Sequence, residues 1–255
     1  MASPGTAAVP GGLLESPGSL PLPFFPGARM SIEATLLRIL SALVLSGLVP
    51  APDLPAAAPG AGTPPLAIED RLLPPACSGP RKEGTEVSVV VIHFISNAKQ
   101  SPENPHDVEA VLDIFREYTL SSHYLIDREG TVYRLVPEER RAWHAGKGKL
   151  PNPPHHGDTL NEVSIGIELL AVGTGEEMEF ILDAEEYARI PQEHAGFTEK
   201  QYASLSALLD GIRERHPKVR HDRRHVVGHD EYAPGRKTDP GTLFDWSAIG
   251  LGEKR

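Results

Sequence analysis

From about position 81 onward, apolar residues fall into strand-like runs and helix-spaced stripes. Glu86–His93 (EVSVVVIH) is a β-branched run that predicts a buried strand. A helix is expected next: Asn104 can cap it, Pro105 suits its first turn and Asp107 favours its positive end. Val108, Val111, Leu112 and Phe115 then recur at helical spacing. His123–Asp127 and Thr131–Val136 flank Arg128-Glu129-Gly130, and the glycine in the turn predicts a hairpin. Val163–Leu170 (VSIGIELL) reads as a further strand, with Gly166 permitting a close backbone approach. Thr198 and Gln201 have the spacing of a capping box, followed by an apolar stripe of Tyr202, Leu205, Leu208, Leu209 and Ile212. Arg224–His229 is the last short strand. Strands and helices alternate loosely, which predicts an α/β fold with a mixed central β-sheet flanked by helices. Residues 171–197 contain Gly173, Gly175 and an acidic run through Glu186. They fit a loop or short helix at the sheet's edge, either a solvated surface insertion or a wall of a substrate groove.

The first 80 residues follow another regime. They hold fifteen of the 25 prolines but only eight of the 60 Asp, Glu, Lys and Arg residues. Residues 39–49 (ILSALVLSGLV) form an apolar run of 11, whereas a membrane-spanning helix needs about 20, so no transmembrane helix is expected in the mature protein. The run fits the core of a secretory signal, with Arg38 before it and small residues at Ala51 and Ala56–Ala58 after it. A Leu/Ala-rich disordered tail is the alternative. Met30 would give a compact n-region and is read as the true start in place of Met1. From Pro50 to about Gly84 the chain is Pro/Ala/Gly-rich and reads as a linker. The expected division is therefore a signal-like leader and disordered linker over 1–84 and one catalytic-size domain over 85–250. Export to the periplasm or beyond follows if the leader is a signal, and a cytoplasmic location if it is not.

A formal net charge of -10 argues against a nucleic-acid binder held by phosphate neutralisation. Cys77 is the one cysteine, so an intramolecular disulfide and a Cys-rich zinc module are excluded. Prolines precede it in LPPAC and it lies far beyond the apolar run, which disfavours a lipoprotein anchor. Any metal site must come from the 11 histidines and the carboxylates. His93 closes the first predicted strand, His229 closes the last, and Asp239 follows ten residues later. Two imidazoles and one carboxylate suit one Zn²⁺ with a fourth position for water. Such a site lowers the pKa of that water to about 7 and polarises a carbonyl. Spacing alone leaves ordinary loop-edge histidines as the other reading.

Five ordered motifs decide between them: VIHFIS, SSHYLIDREGTVYRLV, AWHAG, VSIGIEL and GHDEYAPGRKTDPG. Together they resemble the zinc-dependent N-acetylmuramoyl-L-alanine amidases, the family that includes the bacterial AmpD-like enzymes and the peptidoglycan recognition proteins. The resemblance runs from about Val87 to about Phe244 and is nearest the AmpD-like branch, because GIEL carries a glutamate and the third ligand position holds Asp. It implies that His93, His229 and Asp239 hold zinc, that Glu168 activates water and that Lys237 stabilises the oxyanion. The implied reaction is hydrolysis of the amide between N-acetylmuramic acid and L-alanine in peptidoglycan or muropeptides. His144 resembles a family cleft residue and is assigned to substrate binding, with a core hydrogen bond as the alternative. Asn161 either fixes the loop before the Glu168 strand or touches substrate, and is assigned with His144. His123 leans structural, His155-His156 are read as solvated, and His216, His221 and His225 as surface residues. Asp230-Glu231-Tyr232 departs from the family's usual pattern, which leaves groove polarity there open. A recognition domain that binds muropeptide without cutting it is the competing function; such members typically lack a zinc ligand, and here all three positions are filled.

Overall fold

The computed structural model describes residues 66–150 and 160–252. The apolar run 39–49, both candidate start residues and His155-His156 lie outside the described residues. Among the described residues eight strands form: β1 (Ile68–Asp70), β2 (Ser78–Pro80), β3 (Val89–Ile95), β4 (Tyr124–Ile126), β5 (Val132–Arg134), β6 (Arg140–Ala142), β7 (Ser164–Leu170) and β8 (Val226–Gly228). The helices are α1 (Val108–Tyr118), α2 (Gly175–Met178), α3 (Ala184–Tyr187), α4 (Glu199–Arg215) and α5 (His229–Tyr232). Among the described residues no helix is long and apolar enough to cross a membrane.

Six strands make one sheet in the order β1-β5-β4-β7-β3-β8, and β2 pairs with β6 beside it. Only β4 and β5 run antiparallel within the large sheet; its other pairs are parallel. The predicted mixed sheet is therefore present, and the reason β3 and β7 are so apolar is that helices and loops cover both faces. Alternation then sorts their side chains. Val90, Ile92, Ile165, Ile167 and Leu169 pack with Leu205, Leu208, Leu209 and Ile212 of α4. Val89 and Val91 pack on the other face with Ala145, Leu160 and Tyr232, and Leu170 packs there with Val111, Leu112 and Phe115 of α1. By the same period of two, His93 and the Ser164, Gly166, Glu168 positions of β7 turn away from α4. Ile165, Ile167 and Leu169 thus make one apolar face of β7, and Ser164, Gly166 and Glu168 precede Leu170 on the other.

The hairpin forms as predicted, with Gly130 at φ 83° where a side chain would meet the Lys200 carbonyl. The Thr198–Gln201 capping box starts α4. Gln201 also donates from Nε2 to Leu170 O at 2.9 Å, tying the helix to β7.

Several boundaries move. α1 begins after Asp107, whose side chain accepts from Ala110 N at 2.8 Å, so Asp107 is the cap and Asn104-Pro105 belong to the preceding turn. β3 starts at Val89 and runs two residues past His93. β8 stops at Gly228, so His229 opens a short helix instead of closing a strand. The linker reading fails from Leu66 to Gly84. β1 adds in parallel to β5, β2 pairs with β6, and Leu73 and Cys77 are buried against α1. These segments are three-residue edge strands in which the backbone does the pairing, so proline-rich composition hides them.

Candidate active site

His93 on β3 and Glu168 on β7 are register partners, and both project from the face opposite α4. β8 delivers His229 one residue past its end, and the chain returns after α5 to place Asp239 beside both histidines. The ligand atoms of His93, His229 and Asp239 all lie within 4.8 Å of one another. Asp239 Oδ2 stands 2.7 Å from His93 Nδ1 and 3.0 Å from His229 Nδ1. Burial pushes His93 down to about 4, reinforced by His229, so its ring is neutral at physiological pH. Burial pushes the Asp239 carboxyl up, but the His229 and His93 imidazoles against it more than reverse this and hold it below the usual carboxylate range. On the far edge of His229, Nε2 lies 2.9 Å from Ala145 O. A carbonyl can only accept, so Nε2 carries a hydrogen, and Nδ1 is the ring atom turned toward Asp239. Two imidazole nitrogens and one carboxylate oxygen converging in a buried site form a donor set suited to a divalent cation.

Glu168 is buried and accepts from Ser122 Oγ at 3.1 Å. Burial first, then repulsion from Asp239, pushes its carboxyl up to about 8. A carboxyl placed so near neutrality is suited to taking and giving a proton. Lys237 lines the same cleft and its backbone N–H donates to Ala233 O at 3.0 Å, which fixes the turn before Asp239. The structure thus brings together all five residues assigned to metal and catalysis.

His144 and Asn161 also line the cleft, but their bonds point elsewhere. His144 Nδ1 lies 3.0 Å from His93 Nε2, and its Nε2 lies 3.0 Å from Ser164 Oγ. Asn161 Oδ1 accepts from the backbone N–H of His144 at 3.2 Å and of Ala145 at 2.8 Å. The loop-fixing alternative for Asn161 is the one its side chain performs. His123 is fully buried, its Nδ1 accepting from Gly166 N at 3.0 Å, which is the structural role expected of it. Two surface assignments are corrected: His225 is buried beside Asp222, and His216 pairs with buried Glu138 at 2.8 Å.

The cleft has a volume of about 660 Å³. Ile114, Phe115 and Tyr118 of α1 line it, as do Met178, Phe180 and Ile181 from the 171–197 segment. That segment is therefore a wall of the groove. It is joined to the Asp239 loop by Glu177, whose Oε1 accepts from Thr242 N at 2.6 Å and whose Oε2 accepts from Thr174 N at 2.8 Å. Asp230 and Glu231 do not line the cleft; Glu231 pairs with Arg223 at 2.7 Å. Sequence reasoning missed Arg81. From inside the supposed linker its guanidinium donates to Glu138 O at 2.9 Å, Asn161 O at 3.2 Å and Ser164 O at 2.8 Å, bracing both ends of the segment that leads into β7.

Comparison with known proteins agrees with this geometry. The family model described as N-acetylmuramoyl-L-alanine amidase matches residues 83–242. The 1,6-anhydro-N-acetylmuramyl-L-alanine amidase AmpD of Haemophilus influenzae is 31% identical over 178 residues, covering 65% of this chain and 82% of that one. The N-acetylmuramoyl-L-alanine amidase AmiD of Escherichia coli is 28% identical over 173 residues, covering 64% of this chain and 52% of that one. AmpD of Enterobacter cloacae is 34% identical over 128 residues, covering 50% of this chain and 54% of that one. The chain thus spans most of the Haemophilus relative and about half the length of the other two. A crystal structure of a selenomethionine derivative of AmpD superposes with a TM-score of 0.51 and 26% identity, covering 71% of this chain and 93% of that one. On the family match over 83–242, the Haemophilus relative and the shared fold, this chain belongs to the N-acetylmuramoyl-L-alanine amidase family, in its AmpD-like branch.

Proposed function

We propose that the chain hydrolyses the amide between N-acetylmuramic acid and L-alanine in peptidoglycan or its muropeptide fragments, using one zinc ion held by His93, His229 and Asp239. The observation that carries this reading is the meeting of that ligand cluster with Glu168 at one level of the sheet, at the bottom of an open cleft. Zinc, when bound, supplies a Lewis acid that acidifies water and polarises a carbonyl. Glu168 takes the proton of the attacking water and hands it to the departing amine of L-alanine, a role its raised carboxyl suits. The Lys237 ammonium faces the charge that develops on the substrate's carbonyl oxygen. The apolar side chains that line the cleft, Ile114, Phe115 and Met178 among them, lower the polarity around the reacting groups and so strengthen both effects.

The test uses the purified full chain. Zinc content is measured, and muropeptide is incubated with the protein while free stem peptide is followed. Stem-peptide release abolished by a chelator and restored by zinc is expected. Zinc-loaded protein that binds muropeptide but releases nothing would replace this reading with the recognition-domain one. The leader is assigned to export on its short apolar run and preceding Arg38. Fractionation of cells making the chain with and without residues 1–65 checks this, and a full-length chain retained in the cytoplasm overturns it.

A further inference from the structure

We infer that His144 is a positioning residue. It fixes the tautomer of His93 through a hydrogen-bond relay whose direction is set by the Leu160 carbonyl. Ser164 Oγ lies 2.6 Å from Leu160 O. A carbonyl oxygen can only accept, so the single hydroxyl hydrogen of Ser164 points there. Ser164 Oγ is then an acceptor toward His144 Nε2, 3.0 Å away, and that nitrogen carries the ring hydrogen. A neutral imidazole has one N–H, which leaves His144 Nδ1 as a lone pair. It faces His93 Nε2 at 3.0 Å, and His93 therefore donates. What remains on His93 is the Nδ1 lone pair, directed at the point it shares with Asp239 Oδ2 and His229 Nδ1. The reverse direction would set two acceptors, Ser164 Oγ and Leu160 O, against each other at 2.6 Å with no hydrogen between them, and would put the His93 hydrogen on Nδ1, the atom that must be bare to hold a cation beside Asp239.

The second imidazole is held from the same turn. His229 Nε2 donates to Ala145 O at 2.9 Å, and Arg236 Nη2 donates to the same oxygen at 2.9 Å. Asn161 pins both backbone N–H groups of that dipeptide. His144 and Ala145 thus anchor the outer edges of both histidine ligands. Gly166 makes the arrangement possible, since a Cβ there would stand 2.6 Å from the His144 ring. Both His144 nitrogens are engaged in the relay, so neither is left to hold substrate.

The inference rests on the reading of His93 as a metal ligand, and the experiment separates the two. Zinc affinity of the full chain is measured by competition with a chromophoric chelator for the parent, Ser164→Ala and His144→Phe. Partners behind metal-ligating histidines typically change affinity 10–100-fold. Ser164→Ala should weaken zinc by roughly 10-fold and His144→Phe by up to about 100-fold. In parallel, imidazole ¹⁵N spectra of the parent with zinc added should show His144 protonated at Nε2. His144 protonated at Nδ1 overturns the relay, as does Ser164→Ala binding zinc as tightly as the parent. If His144→Phe does not fold, Ser164→Ala decides, since it lies two links from the cluster. A parent that binds no zinc sinks the metal reading instead, and the spectrum still decides the relay.

Discussion

His93 and Glu168 sit at one register position of the adjacent parallel strands β3 and β7, on the face that α4 leaves free. Neighbouring strands lie about 4.8 Å apart, so the fold itself sets the spacing between a ligand and a proton carrier. Glu168→Gln should therefore retain zinc and lose turnover, checked by metal content and stem-peptide release. The same residue gives a pH signature. Its carboxyl rises from 4.5 to about 8 in the cation-free fold. A carboxyl raised by folding costs stability progressively as pH climbs from the unfolded value to the folded one. Zinc-free Glu168→Gln should melt above the parent at pH 8, with the gap closing toward pH 4.5. A gap that does not change with pH would mean that Glu168 does not ionise in this window.

Lys237 faces the cleft within the turn that leads to Asp239. Loss of a single charge-stabilising donor typically lowers kcat by about 10²–10³-fold. Lys237→Met should show that loss with KM and zinc content nearly unchanged. A rise in KM alone would make it a binding group.

Glu177 spans the cleft wall and the metal loop. Besides its bonds to Thr174 and Thr242, its carbonyl accepts from Thr238 Oγ1 at 2.9 Å, next to Asp239. Glu177→Ala removes the side-chain bonds, at a cost of about 2–3 kcal/mol in stability. It should also weaken zinc by about 10-fold, as second-layer groups do. Chelator competition and thermal melting measure the two effects; unchanged affinity would leave the wall without a role in holding Asp239.

Arg81 satisfies backbone carbonyls on two segments with one planar fork, which lysine cannot reproduce. Burial pushes its guanidinium down to about 10, a sign of how far it is withdrawn from water. Arg81→Lys should lower stability by about 2–4 kcal/mol in chemical denaturation. A chain beginning at residue 85 should unfold at a markedly lower temperature than the full chain, because it also loses the packing of Leu73 and Cys77.

The elements legible in the sequence were those whose side chains announce them. VSIGIELL shows its two faces, Thr198 and Gln201 bracket the first turn of α4, and Gly130 marks the hairpin. The catalytic constellation was legible through ordered motifs, because His93, Glu168 and Asp239 each sit in a short stretch of distinctive composition. β1, β2 and β6 were not, since each is three residues long and pairs through backbone groups that no residue pattern records. Arg81 was hidden for a related reason: its partners are carbonyl oxygens, which every residue has. The roles of His144 and Asn161 depend on which atom meets which, and only the folded structure carries that.

β1 is the outermost strand of the large sheet among the described residues, and all three of its residues are exposed. Arg134 grips Asp70 with two bonds, at 2.7 and 2.8 Å, fastening the strand to β5. A free sheet edge is a template for pairing with other chains, and short, charged edge strands are the usual protection. Ile68–Asp70 gives β5 a partner and ends the sheet in Glu69, Asp70 and Arg71. Its consequence is colloidal: at that end, a second molecule finds charge where it would otherwise find an open ladder.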